Sequence, residues 1–385
     1  MLSLRVARGS VPTVLLRRLS VAAAAAGTGF LLLAALGYAL GHPGEPSASS
    51  ARLAWCLVPF AIALQLSVAV SRAEPSGRLH AGLAAVGLGR NGVPLLAAAA
   101  SALSCGLGSA VALVAFLRLR GTSVEALGPD RPLPFAGALT LLAAVPLLAA
   151  AASAASLWPR GAAPSGPASA DADDPDAPSA VSAPAGLPWG VALTAIGLAI
   201  EVTADDLSRS TATDLMPLPG GLGNTAPTVL AGWALIAAGM VLAGPALVHA
   251  CGRLLAAVRP GALRLLAGRA LQEEAGRIGR PVGVLCAIAA GGLAALQLYG
   301  TGDRKLGPLT GFAAALIVLS ALATVLTAAL EARRSREHRT AALVQLGAPA
   351  SLLRTAVGLR CAMVLAVVVP LTVLIAQLAA SPLGV

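Results

Sequence analysis

Apolar positions in this chain come in long unbroken runs, separated by short clusters of arginine, proline and glycine. A helix on the surface of a soluble domain would turn polar every three to four residues and a half-buried strand every second residue. Runs that are apolar on every side for about 20 residues instead have the length of a bilayer-crossing helix. They lie near 19–41, 51–71, 93–117, 134–158, 187–203, 227–250, 281–300, 309–331 and 358–380. The pattern predicts an all-α, polytopic integral membrane protein with nine to ten transmembrane helices. The fifth run is the shortest and carries Glu201 near one end. The first follows Arg17 and Arg18 as a signal peptide would, but the stretch from Leu19 to Leu40 is long for such a segment, so it is read as an uncleaved anchor.

Composition agrees with this reading. The chain has 385 residues, 57% of them hydrophobic and 11% charged, against about 25% charged residues in an ordinary soluble domain. Too few polar side chains are available to coat a soluble core of that size, which excludes soluble enzymes. The formal charge of +10 comes from arginine, since Lys305 is the single lysine among 27 basic residues. In a polytopic protein such an excess belongs to cytoplasmic loops and not to nucleic acid. The preference for arginine over lysine, with abundant Ala, Gly and Pro, is typical of GC-rich bacterial genomes and points to a bacterial plasma membrane. Cys56, Cys105, Cys251, Cys286 and Cys361 stand singly in or beside apolar runs, so neither a disulfide framework nor a zinc site is expected.

Basic residues orient the spans. With the N-terminus in the cytoplasm, 20 of the 27 Lys+Arg fall on the inner side, 12 of them between Arg253 and Arg280 or between Arg333 and Arg360. The stretch from Trp158 to Gly186 is rich in Pro, Ala, Ser and Asp, cannot bury enough apolar surface to fold, and reads as a disordered cytoplasmic linker over 159–186. Its cluster Asp171, Asp173, Asp174 and Asp176 is read as a solvated spacer, not a cation site.

Two inner segments are alike. SRAEPSGRLHAGLAAVGLGRNGVPLL runs from Ser71 to Leu96, and RRSREHRTAALVQLGAPASLLRTAVGLR from Arg333 to Arg360. Aligning Gly87 with Gly347 places Ala81 on Ala341 and Leu83 on Leu343. Each copy has basic residues leaving a span, among them Arg78 in the first, then a short amphipathic stretch, a glycine, and re-entry into the membrane. In the second, Leu343, Leu346, Leu352 and Leu353 can form an apolar face opposite Arg336, Arg339 and Arg354.

The string RRSREHRTAALVQLGAPASLLR resembles the motif of FtsX/MacB-type ABC transporter permeases, in which a basic segment with Arg-Glu runs into an apolar stretch ending in Leu-Gly-Ala. Arg336, Glu337, Leu343, Leu346, Gly347 and Ala348 carry the likeness. Upstream, Leu263 to Leu285 resembles the amphipathic lead-in to the first span of such a unit, through Leu266, Arg269, Leu271, Arg277 and Arg280. The resemblance implies two four-span units joined by two extra spans: 1–158 as the first unit, 187–251 as the connecting pair, and 252–385 as a second unit one helix short of the family's four. It also implies that segments 74–92 and 333–357 dock on a cytoplasmic ABC ATPase dimer, with Arg78, Leu83, Gly87, Arg336, Glu337, Arg339, Leu343, Leu346, Gly347 and Ala348 as the coupling residues. Arg333 and Arg334 serve equally well as anchors to lipid phosphates. The outer loops, near 42–50, 118–133, 204–226 and 301–308, are short, unlike those of relatives with a large extracytoplasmic domain.

No covalent chemistry is legible. A phosphate-binding GxxxxGK[ST] loop is absent, and the one lysine lies in TGDRKLG. The expected subunit therefore binds no cofactor and is no enzyme; ATP would be used by its partner. Membrane lipids and a second permease, identical or different, are the other expected partners. His42, His80, His249 and His338 lie near different span boundaries without a matching acid. Polar residues within the spans are few, Glu201, Gln65, Gln297 and Gln377, and Glu201 is the candidate polar site, although Asp205 and Asp206 follow it and the outer headgroup level is the favoured place for it. The expected function is export or membrane extraction of a hydrophobic substrate. The alternatives are an ion-coupled secondary transporter, for which Glu201 is the motivating residue, and a mechanotransmission scaffold that moves no substrate.

Overall fold

The computed structural model describes residues 2–73, 92–120, 134–158, 186–210, 216–217, 224–225, 227–257, 261–300, 307–345 and 350–380. Within them lie nine helices: α1 (Leu2–Gly41), α2 (Pro46–Ala73), α3 (Gly92–Arg120), α4 (Phe135–Leu157), α5 (Gly186–Ser210), α6 (Pro227–Ala257), α7 (Ala262–Gly300), α8 (Pro308–Gln345) and α9 (Ala350–Ala380). Two antiparallel two-residue strands, β1 (Met216–Pro217) and β2 (Asn224–Thr225), pair between α5 and α6. Each of the nine helices contains a stretch long and apolar enough to cross a bilayer, from Val14–Gly41 in α1 to Arg354–Ala379 in α9. The chain is a multi-pass membrane protein. The physical reason is that lipid offers no hydrogen bonds, so each crossing segment must satisfy its backbone within itself.

Three helices are much longer than the membrane requires. α1 has 40 residues, α7 39 and α8 38, which at 1.5 Å per residue is about 60 Å against a hydrocarbon core of about 30 Å. In α7 the amphipathic lead-in and the span that follows it form one continuous helix through Pro281. In α8 the helix runs past the end of its apolar stretch at Arg334 to Gln345.

Side-chain contacts fix the sense of the helices. Arg17 Nη1, near the start of the apolar stretch Val14–Gly41 of α1, donates to the Ala73 carbonyl at the end of α2, at 3.3 Å. Ser101 near the start of α3 bonds Ser153 near the end of α4, at 2.8 Å. A Cβ placed on Gly268, early in α7, would lie 2.6 Å from the carbonyl of Gly252, late in α6. Leu255, Ala267 and Ala356 gather the end of α6 and the starts of α7 and α9. Sequential helices thus alternate in direction, and the starts of α1, α3, α7 and α9 share one end of the molecule. Arg17, Arg72, Arg253, Arg264, Arg333 and Arg354 belong to that end, whereas Arg52, Arg118 and Arg120 belong to the other. At the second end Tyr38 stacks on His42 (ring centroids 4.1 Å), lies under the Arg52 guanidinium (3.5 Å) and donates to Glu45 Oε2 (3.2 Å). An aromatic ring with polar partners suits a water–lipid boundary.

Packing divides the helices in a way that chain order does not reveal. α1, α2, α3 and α4 form one bundle; α5, α6, α7 and α9 form the other. α8 packs on α2 and α1 of the first bundle while also lying against α7 of the second. It is joined to the first bundle by an edge-on aromatic chain in which Phe30 meets Phe116 (centroids 5.9 Å) and Phe312 (5.8 Å), and by Leu316 fitting over Gly27. Although α8 and α9 are consecutive, α9 turns to α7 and α6 through Cys286, Ile375 and Ala376, leaving α8 as the bridge between bundles.

The second bundle rests on close backbone approach. Along the α6–α7 seam, Gly244 faces the Gly279 carbonyl, Gly279 faces Pro245, and a Cβ on Gly283 would stand 2.5 Å from the Met240 carbonyl. Lipid tails are as apolar as leucine, so helices in a bilayer gain little by hiding apolar surface and associate where small residues allow dense contact.

Candidate functional site

Among the described residues, three places bear on the candidate site. The first is the basic end, where the long helices project. The backbone places Arg336, Glu337, Arg339 and Leu343 in the last turns of α8, and the chain resumes as α9 at Ala350. Arg78, Leu83, Gly87, Leu346, Gly347 and Ala348 lie outside the described residues. Of the lead-in residues, Leu271 is buried (4% exposed) against Val248, Cys251 and Ala275, whereas Leu266 is 58% exposed. The N-terminal half of α7 is therefore amphipathic in place as well as in pattern, one face packed on α6 and α9 and Leu266 exposed on another.

The second place is a polar knot inside the first bundle. Ser67 and Ser71 of α2, Ser101 of α3 and Ser153 of α4 converge although they stand 30 to 86 residues apart in pairs. Ser153, fully buried, is the hub: its hydroxyl lies 2.8 Å from that of Ser101, 3.1 Å from Ser71 and 3.4 Å from Ser67. Ser71 and Ser101 also donate to the carbonyls four residues earlier, Ser67 and Ala97, each at 2.9 Å. Beside the knot, a cavity of about 10 Å³ is lined by Arg18, Ser67, Ser71, Ser101 and Ser104 among others. That is close to the room one water needs. The i,i+4 pair Ser67–Ser71 is the only trace of this knot in the sequence. Ser101 and Ser153 stand in alanine-rich runs, each with a second serine three residues on, and nothing local distinguishes them from spacers.

The third place is Glu201. Its side chain is 0% exposed and lies in the α5–α6 seam. A Cβ at Gly232 on α6 would lie 3.0 Å from the Gly197 carbonyl, 3.1 Å from Glu201 Cγ and 3.5 Å from its Oε1, so the glycine lets α6 pack closely over the acid's side chain. Neither carboxyl oxygen has a hydrogen-bond partner among the described residues. The carboxyl faces the neighbouring helix, two residues before the end of the apolar stretch Gly186–Thr203. A single period of polarity along α5 could not reveal this, because the partner glycine is 31 residues further on.

His249 is likewise buried (5% exposed) within α6, its Nδ1 unpartnered among the described residues. Cys56, Cys105, Cys251 and Cys286 are buried free thiols and Cys361 is an exposed one. No group of three or more His, Cys, Asp or Glu among the described residues is placed to hold a metal ion.

The architecture defines a multi-pass helical membrane protein with a strongly basic end. Beyond that class, no protein-family model matches the chain, and neither the curated proteins nor the solved structures include a match.

Proposed function

We propose that this chain is the transmembrane subunit of an ABC transporter, oriented with its basic end and N-terminus in the cytoplasm of a bacterial cell and served by a separate cytoplasmic ATPase. The reading is supported by the motif of Arg336, Glu337, Leu343, Leu346, Gly347 and Ala348 together with one structural observation that carries it. α8 is continuous from Pro308 to Gln345, so the turns bearing Arg336, Glu337, Arg339 and Leu343 extend the same helix that contacts both bundles. A push on the cytoplasmic end of such a helix is delivered where the bundles meet, as a permease driven by closure of an ATPase dimer requires. Twenty basic residues on one side satisfy the orientation rule for that geometry.

The chain would do no chemistry of its own. ATP would be bound and cleaved by the partner, and the chain would convert that closure into relative movement of the bundles. With apolar spans and short outer loops, the substrate class that fits is a hydrophobic or lipid-like compound.

Purification of the tagged protein from its native membrane in mild detergent, with mass spectrometry and an ATPase assay on the eluate, tests the reading. The expected result is a stoichiometric partner with a phosphate-binding loop, lost on deleting residues 336–348 while membrane insertion is retained. An eluate free of ATPase overturns it. A second reading, ion-coupled secondary transport, is favoured by the buried Glu201 carboxyl; it predicts transport that persists without any ATPase and is lost in Glu201→Gln.

A further inference from the structure

The carboxyl of Glu201 occupies an unusual position for an acid. It enters the α5–α6 seam between Gly197 and Gly232. At Gly197 a Cβ would stand 2.7 Å from both the Gly232 carbonyl and Ile236 Cγ1. One turn before it on α5, Leu198 joins the apolar cluster of Ile236, Met240 and Ile375. The side chain is completely buried, and both of its oxygens lack a partner among the described residues.

Taking an ionised carboxylate out of water without pairing it is far more costly than burying the neutral acid. The charged form therefore needs a cation close by, and the described side chains around it offer none. α6 carries no charged side chain from Pro227 to Val248. Its first titratable groups are His249, Cys251 and Arg253, at least 17 residues beyond Gly232, or about 25 Å along a helix axis. α9, which also touches α5, carries Arg354, Arg360 and Cys361 near its start and no titratable group from Ala362 to Ala380. On α5 itself the charged residues are Asp205 and Asp206, one turn onward and of the same sign, and Arg209, two turns onward. Glu201 also lies nearer the C-terminal end of the apolar stretch Gly186–Thr203, so parting α5 from α6 at that end would bring water to it over a short path.

We propose that Glu201 is an intramembrane proton-binding site whose occupancy is tied to the α5–α6 seam. Packed against Gly232, the carboxyl holds a proton; when the two helices separate, it meets water and releases it. The ionised form cannot return to the closed seam without taking up a proton, so protonation and closure are one event. The site does not depend on the transporter reading: it needs only the buried acid and a seam that opens.

The test uses the full chain in lipid nanodiscs. Dicyclohexylcarbodiimide, which partitions into membranes and takes up a protonated carboxyl by addition of its O–H across one C=N bond, is the probe, and the adducts, rearranged to N-acylureas, are located by peptide mass spectrometry. The expected result is an adduct on Glu201 whose rate of formation falls about tenfold per pH unit once the group begins to ionise, absent in Glu201→Gln. The infrared carbonyl band of a protonated acid in a dry site should be present in the native protein and missing in the same variant. Glu201→Asp, which keeps the acid, should retain both signals and covers the case of a Gln variant that fails to fold. A Glu201 left unmodified at every pH, or modified equally fast by a water-soluble carbodiimide as an exposed carboxylate would be, overturns the proposal.

Discussion

Replacing Gly279 by alanine adds one methyl group where the backbones of α6 and α7 touch. A Cβ at this position collides with Pro245 Cα, and stands 2.5 Å from Pro245 N and 2.9 Å from the Gly244 carbonyl carbon. The obstacle is backbone, so no side chain can swing aside. Ordinary contact begins at 3.4 Å, and the helices must part locally by about 1 Å. An opening of that size forfeits a quarter to a half of the dispersion energy of the contacts it stretches, and inserting a methylene into a tight seam costs about 1–3 kcal/mol. Alanine's better helix propensity returns up to about 1 kcal/mol. The net expectation is a loss of about 1–2 kcal/mol, rising in Gly279→Leu. Gly291→Ala, in the same helix but with nothing within 4 Å of its Cβ, should be neutral or slightly stabilising. Unfolding in mixed micelles of rising SDS mole fraction, followed by the fluorescence of Trp189 and Trp233, measures both. Equal stability of the two alanine variants, or the reverse order, would refute the reasoning.

Other expectations follow from the same structure. Ser153→Ala removes the hub of the serine knot and should cost about 1 kcal/mol in the same assay, with Ser104→Ala, whose hydroxyl bonds its own helix at Ala100, changing less. In a background without the native cysteines, Gly27→Cys with Leu316→Cys should cross-link α1 to α8 in high yield; no cross-link would contradict the placement of α8 on the first bundle. If the basic end is cytoplasmic, Arg333→Cys should be protected from a membrane-impermeant maleimide in intact cells while Arg52→Cys reacts, and the opposite pattern would invert the topology. Phe312→Ala, which removes the edge contact to Phe30, should lower the yield of the α1–α8 cross-link without abolishing insertion.

The spans were legible because their cause is local. A membrane-crossing segment must satisfy its own backbone and be apolar along its length, and both conditions can be counted in a window of about 20 residues. All nine apolar runs correspond to helices of the structure, including the short fifth one. Helix length beyond the bilayer was less visible. The amphipathic stretch before residue 281 has its own period, and only the structure joins it to the span as a single α7. The inner segments with Arg78, Leu83 and Gly87 were found by internal likeness, which says nothing of how they are placed.

Which helix lies against which was decided by tertiary structure, because between helices in lipid the deciding quantity is fit. Nothing in the runs around Phe312 and Leu316 marks them as partners of Phe30 and Gly27, nearly 300 residues earlier, yet that fit carries α8 away from α9 and onto the first bundle. The convergence of Ser67, Ser71, Ser101 and Ser153 needed three helices to be set side by side before four unremarkable serines became a hydrogen-bonded knot. Glu201 shows the division most plainly. Its type and its place in an apolar run marked it as a candidate from the start; that its side chain lies in a seam opposite Gly232, a residue with no side chain on another helix, was visible only in the tertiary structure. Apolarity along the chain determined that these segments enter the membrane, and close packing between them determined what each side chain meets there.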